Sequence, residues 1–398
     1  MKKLIFGAMI FGIVSSFTLF ALQPLSVEAK DGGRKIVVFS AALNEAAKDK
    51  LISHVGGVKL KNLDLIGAKA VWVPDSTAAA KLADHPDVVR VDDDVVVEAL
   101  LKEGHVKVQK GALQPVESLP WGIDRVDAEL VWPTGNTADL IKVGIIDTGI
   151  SSKHPDLLAN VKGGVNTINP LKSWNDDNGH GSHVAGIVAA LDNDIGVIGV
   201  GPAVDLYAIK VLNASGSGYL SDVIEGIQWA ITNGIRVVNM SLGTGSNVQS
   251  LHDAVIAAKK AGVVVIAAAG NSGGSVIYPA AYPEVIAVSA TDQNNVIASW
   301  SSRGPEVDLA APGVSIYSTY KGTGYATLSG TSMAAPHVAG SAALVLNTPV
   351  GANDVNANGK WDPDEVQVKL QASATNLGDA GFDNLYGWGL VNAWNAVQ

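Results

Sequence analysis

The segment from Gly330 to Gly340, GTSMAAPHVAG, sets a single hydroxyl, Ser332, among small side chains at the start of an apolar helical stretch. A serine attacks an amide only if a base takes its proton and fixed donors receive the oxyanion. Two other segments could supply the base and the group that orients it. Ile145-Ile146-Asp147-Thr148-Gly149 is an apolar run ending in a carboxylate and a turn glycine, and Asn178-Gly179-His180-Gly181-Ser182-His183 is a glycine-flanked imidazole opening an apolar helix. In chain order the three groups are Asp147, His180 and Ser332.

Each group alone has an ordinary alternative. A serine before an apolar helix is usually an N-cap, and an Asp-x-Gly after a strand is usually a turn. His183 competes with His180 for the role of base, because residues three apart share a helix face. Zinc does not suit the pair: the histidines are three rather than four apart, and no Glu follows His180 as a zincin motif requires. Asn271, in Ala267-Ala268-Ala269-Gly270-Asn271-Ser272-Gly273, ends a small-residue strand in an amide that could join the Ser332 N–H as an oxyanion donor, or could simply form a turn. Gly216-Ser217-Gly218 and Ser241-Leu242-Gly243 are edges without bulk, suited to accept an extended peptide as an added strand.

Taken together and in this order, the three motifs resemble those of the subtilisin-like serine proteases, the subtilases, in their secreted bacterial and archaeal branch. Chymotrypsin and the α/β-hydrolases order the same groups differently. The resemblance runs from about Pro120 to Gln398 and implies a serine endopeptidase of broad specificity. It favours His180 over His183 as base, and it makes Asp147 the group that orients His180. It further implies that Leu220, Val223 and Leu242 line a pocket four residues upstream of the cut, and that Ala268, Gly270 and Ile277 border the primary pocket. Ile277 stands where relatives often carry Gly.

Composition narrows the remaining classes. The chain has 398 residues, 47% of them apolar, and 43 glycines, which suits a turn-rich α/β protein. A net charge of −10 without a Lys/Arg cluster argues against nucleic acid as partner. The absence of cysteine excludes disulfides, thiolate metal sites and a thiol nucleophile.

Apolar strands around Val143–Asp147, Leu206–Val211, Val237–Leu242, Val263–Ala268 and Val285–Ala290 alternate with helices near His183–Leu191, Ser221–Asn233, Ser250–Ala261 and Ser332–Leu346. That alternation predicts an α/β fold with a mostly parallel sheet, helices on both faces and ligands at the carboxyl ends of the strands. Residues 119–398 form this unit. Lys2 and Lys3 before the apolar run Leu4–Leu22 read as a secretory signal over 1–29, cut after Ala29, with an uncleaved membrane anchor as the alternative. Residues 30–100 read as a small α+β domain. By resemblance this is a propeptide, chaperone and inhibitor of its own enzyme, whose tail Val95–Leu100 would lie in the active site. Cleavage is expected after Leu100, with Leu101 second, and 101–118 is a connector. The mature enzyme is expected to be a secreted monomer, free of the membrane once the signal is removed.

Residues 354–365, DVNANGKWDPDE, match every position of the EF-hand loop pattern. Asp354, Asn356, Asn358, Asp362 and Glu365 with the Lys360 carbonyl would bind Ca2+, or the loop is simply a solvated acidic turn. Resemblance implies a second calcium site from Leu191, Asn193, Ile195 and Val197 with Asp156 and Glu117. A weaker third site, for calcium or a monovalent ion, would use Asp308 with the carbonyls of Ala280, Tyr282 and Val285.

Overall fold

The computed structural model describes residues 32–102 and 114–398. The expected signal segment with Ala29, and residues 103–113 of the connector, lie outside them. Among the described residues no helix is long and apolar enough to cross a membrane.

The first unit is an antiparallel four-stranded sheet ordered Val58–Leu63, Ala68–Val73, Gly33–Phe39, Val88–Asp93, with helices Glu45–His54 and Ser76–Ala83. Alternate residues of a strand face opposite sides. Val37 and Phe39 pack with Ile52 and Leu82 of the unit's own helices, whereas Ile36 and Val38 join the core of the second unit. Burial on both faces explains why Ile36–Phe39 reads as an unbroken apolar run. The strand Val58–Leu63, mostly exposed and with two lysines, escapes the sequence pattern.

The second unit is built on a seven-stranded sheet ordered Val307–Pro312, Ile286–Thr291, Val264–Ala268, Val237–Met240, Lys142–Asp147, Asp205–Lys210, Val161–Asn166. Every pairing in it is parallel. Helices cover both faces, as the alternation predicts. The five internal strands were legible because strands buried on both sides are continuous apolar runs. The two edge strands were not, since one contains Gly163 and Gly164 and the other ends in Pro312.

From Lys142–Asp147 the chain forms Val161–Asn166 and then Asp205–Lys210 on one side and returns on the other side as Val237–Met240, so strand order reverses at Lys142–Asp147. Crevices at such reversals, outside the carboxyl ends of the strands, are where open α/β sheets bind ligands. Asp147 ends its strand on this edge, and Ser241 and Asn271 follow the ends of theirs.

Helix Thr331–Leu346 is buried from Thr331 to Val345. Small residues make that close packing possible: a Cβ at Gly340 would lie 2.5 Å from Val200 Cβ. Pro336 sits inside the helix and has no N–H for the carbonyl of Ser332, four residues back. That freed carbonyl accepts the Ser241 hydroxyl at 2.8 Å.

Candidate active site

Asp147 ends its strand with no exposed surface, and His180 is the first residue of helix His180–Ala189. His180 Nδ1 lies 2.8 and 2.9 Å from the two carboxylate oxygens of Asp147. A carboxylate only accepts, so Nδ1 carries the proton and Nε2 is left as the basic nitrogen. Asp147 is fixed in turn by the N–H of Thr148 at 2.7 Å. The helix begins one turn earlier than its pattern indicated, because Gly179, Gly181 and Ser182 are poor helix formers whose conformation is imposed by contacts.

His183 does other work. It is fully buried, and its Nε2 donates to the carbonyls of Ile316 and Ala326 at 3.0 and 3.1 Å. Burial, aided by nearby His180, pushes its pKa down to about 3.

Ser332 is the second residue of its helix, and its hydroxyl donates to the carbonyl of Ser241 at 3.0 Å. His180 Nε2 has no hydrogen-bond partner among the described residues. The hydroxyl is therefore turned away from the imidazole.

Asn271 Oδ1 accepts from both the N–H and the hydroxyl of Thr331, each at 2.9 Å. With its oxygen so engaged, the amide must aim Nδ2 into the cleft, where it donates to the carbonyl of Leu100 at 2.7 Å. The cleft is filled by the chain itself. Strand Val96–Ala99 lies antiparallel between Ser217–Tyr219 and Leu242–Gly243. The N–H of Ala99 donates to Gly216 O at 2.9 Å, that of Leu100 to Ser241 O at 3.2 Å, and that of Lys102 to Ser329 O at 3.0 Å. Val97, 1% exposed, shares one apolar cluster with Leu220, Val223 and Leu242. Ala268 is buried in the core, and Ile277 crowds the glycine edges, lying 2.7 and 3.3 Å from where a Cβ would stand on Gly243 and Gly270.

The strand expected over Val237–Leu242 is broken at Ser241, whose carbonyl serves Leu100 and Ser332 instead of the large sheet. Sequence patterns had placed Ser241 in the cradle without finding its hydroxyl bond to the Ser332 carbonyl.

The profile of the Subtilase family matches residues 139–389. Subtilisin Savinase of Lederbergia lenta is 50% identical over 283 residues, covering 71% of this chain and all of that protein. An alkaline protease of Shouchella clausii is 50% identical over 71% of this chain and 70% of its own length. Subtilisin J of Geobacillus stearothermophilus is 40% identical across the whole of both chains. The chain belongs to the subtilase family.

It is a serine endopeptidase, and the acidic loops of this subtilase are held by hydrogen bonds of their own. In the loop 354–365, Gly359 takes the left-handed conformation, φ 79°, that the turn at the sixth position needs. Asp354 accepts the N–H groups of Asn358 and Gly359 at 3.0 and 2.8 Å. Asp362 accepts the Asn358 amide, and Glu365 accepts the N–H groups of Val355 and Asp362. Trp361 anchors the loop in the core, its indole N–H donating to Thr348 O at 2.9 Å. The donors are hard oxygens on a tight turn, which fits Ca2+.

Glu117, Asp156 and Asn193 are also brought together. Asn193 donates its N–H to Glu117 at 2.7 Å and its amide to Asp156 at 3.2 Å, and the Val197 N–H reaches Asp156 at 3.0 Å. Burial, with Glu117 adding repulsion, pushes the Asp156 pKa up to about 7. Two crowded carboxylates beside the carbonyl-rich loop of Leu191, Asn193, Ile195 and Val197 also fit a cation. Asp308 is differently occupied: its oxygens accept from Gln367, Gln371 and the Ala287 N–H. Among the described residues no three His, Asp or Glu side chains group as a metal cage would require. Any ion would therefore depend on amide and carbonyl oxygens as well.

Proposed function

We propose that the chain is the precursor of a secreted, calcium-stabilised, monomeric subtilase that cuts itself after Leu100. Residues 1–29 are the signal, 30–100 the propeptide and 101–118 the connector to the catalytic domain 119–398. The observation that carries this reading is the Leu100 carbonyl held by Asn271, with the preceding residues paired as a strand on both walls of the cleft.

The chemistry follows from the groups around that carbonyl. The Ser332 hydroxyl turns from Ser241 O to His180 Nε2, gives up its proton and attacks the Leu100 carbonyl carbon. The oxyanion is received by Asn271 Nδ2 and the Ser332 N–H, and the helix start at Ser332 adds its positive end. Asp147 steadies the imidazolium without taking the proton. His180 then protonates the leaving nitrogen of Leu101, the C–N bond breaks, and the Leu100 acyl group stays on Ser332. Water, deprotonated by His180, releases Leu100 as a carboxylate and restores the serine. Protein substrates would enter as Val96–Leu100 does, through backbone pairing that asks little of sequence.

Asp354, Asn356, Asn358, Asp362, Glu365 and the Lys360 carbonyl would hold one calcium ion, and Glu117, Asp156, Asn193 and the carbonyls of Leu191, Ile195 and Val197 a second. Asp308, with three of its acceptor positions already engaged, would serve a third site through its remaining one. Bound calcium would supply positive charge that ties the loops to the core and takes no part in the bond cleavage.

The test is intact mass and N-terminal sequencing of the refolded full chain beside Ser332→Ala, each with calcium and with chelator, together with the Tm of the Ala variant. A new N-terminus at Leu101 in the wild type, a whole Ala variant and a higher Tm in calcium are expected. An uncut wild type under every condition would favour a binding protein that keeps the fold, and a Tm indifferent to calcium would remove the ions.

A further inference from the structure

Asp176 belongs to neither a metal loop nor the group that meets substrate, yet it is 4% exposed and holds more hydrogen bonds than any other carboxylate near the cleft. One oxygen accepts the Thr148 hydroxyl and the N–H groups of Asn178 and Gly179, each at 2.9 Å. The other accepts the N–H of Ser182 at 2.9 Å and its hydroxyl at 2.6 Å. These partners flank the reacting pair: Thr148 follows Asp147, and Asn178, Gly179 and Ser182 bracket His180.

Thr148 is held at every polar atom. Its N–H goes to Asp147, its hydroxyl oxygen also accepts the N–H of Gly181 at 2.9 Å, and its carbonyl accepts the buried ammonium of Lys210 at 2.7 Å. The bond between Asp147 and His180 thus spans two segments that Asp176 and Thr148 join through a second set of bonds. Three N–H groups that can only donate reach both oxygens of Asp176, alongside two hydroxyls, a set that a carboxylate satisfies. An Asn there would turn an NH2 group toward the N–H of Ser182.

We infer that Asp176 is a positioning residue of the peptidase site, joining through Thr148 the strand end that carries Asp147 to the helix start that carries His180. This rests on the reading of Asp147 and His180 as the acid–base pair. A carboxylate that merely capped a helix would affect stability and leave the chemistry of folded enzyme alone. One that sets the pair's geometry lowers turnover and spares binding, since small misplacements of reacting groups cost rate steeply.

The experiment compares Asp176→Asn, Thr148→Val and Thr148→Ser in the full chain after self-processing, using a peptide p-nitroanilide and active-site titration so that only folded enzyme is counted. Asp176→Asn and Thr148→Val should each lower kcat about tenfold or more with KM within about twofold, and Thr148→Ser, which keeps the hydroxyl, should restore kcat. The double variant should be no slower than the slower single, because both changes break one link. A Thr148→Val enzyme with wild-type kcat, or losses that multiply in the double variant, would overturn the inference. If Asp176→Asn does not fold, the Thr148 pair decides alone. His180→Ala separates the two readings: full activity there removes the acid–base pair itself, whereas its loss beside an active Thr148→Val removes only the role of Asp176.

Discussion

The first unit touches the catalytic unit in two places, and the two contacts use different chemistry. Its tail enters the cleft through main-chain bonds, Ala99 to Gly216 and Leu100 to Ser241, with Leu100 and Val97 the main apolar anchors. Its sheet instead lies on helices Leu220–Thr232 and Gln249–Lys260 and is specified by side chains. Asp92 accepts the N–H and hydroxyl of Ser250 at 3.0 and 2.6 Å, and Asp94 those of Ser221 at 2.8 and 2.9 Å. Two residues apart on extended chain, they point the same way and meet two neighbouring helix N-termini, where free N–H groups and the helix dipole favour an anion. Lys61 pairs with Asp222 and Glu225, Arg90 with Asp253, and the Arg34 guanidinium lies 3.8 Å from the centre of the Tyr219 ring. The tail could be exchanged for many peptides. The sheet face is specified by side chains of these two helices, so what fills the cleft and what seats the first unit on the helices are separable properties of one segment.

The largest expected effect lies in the tail. Leu100→Pro removes the N–H that Ser241 O accepts and fixes the local backbone, so the bond to Leu101 should stay intact while the chain still folds, read by intact mass and circular dichroism. Cleavage at that bond despite the proline would show that backbone pairing is not what holds the tail.

The sheet face should respond more gradually. In a Ser332→Ala background, replacing Asp92 and Asp94 by Ala removes two helix caps, worth about 1 kcal/mol each, and takes one carboxylate from each of Arg90 and Arg34. Denaturant unfolding of the full chain should shift to a lower midpoint by that amount. Leu100→Gly in the same background should shift it far less. Equal shifts would erase the distinction between the two contacts.

Sequence foretold the tail better than the face. The β-branched run Val95-Val96-Val97 and the small-residue edges at Gly216 and Gly243 carry their function in local pattern. Asp94 and Ser221 are 127 residues apart, and nothing near either announces the other. The same holds within the catalytic unit. Asp147, His180, Ser332 and Asn271 stand out in the sequence because strand ends, glycines and helix starts surround them. Asp176 had no such frame, and its partners become visible only when the segments around residues 148 and 180 are packed together.

A final and smaller effect concerns acid. His183 and His337 are fully buried, His337 Nδ1 donating to Met333 O at 2.8 Å, and burial pushes their pKa values down to about 3 and about 4. An unfolded imidazole titrates near 6.5. Between these values the unfolded chain binds more protons, so this stability is complete above about pH 6.5 and is lost as pH falls toward 4 and then 3. Each histidine contributes at most about 1.4 kcal/mol per pH unit across that window. Asp94 runs the other way: burial raises its pKa, so its contribution is fullest in acid and declines as pH rises through the raised value. The tail's main-chain bonds do not titrate. Asp156, raised to about 7, and Asp308, raised to about 6, oppose the histidines in the same window, so the readout is the change between variants. In thermal unfolding of the Ser332→Ala chain between pH 7.5 and 4.5, His183→Gln should remove part of the loss of Tm toward acid. A steeper fall when Asp94 is replaced by Asn would assign opposite pH signs to the sheet face and the catalytic core. An unchanged slope would leave the face with no electrostatic part in holding the two units together.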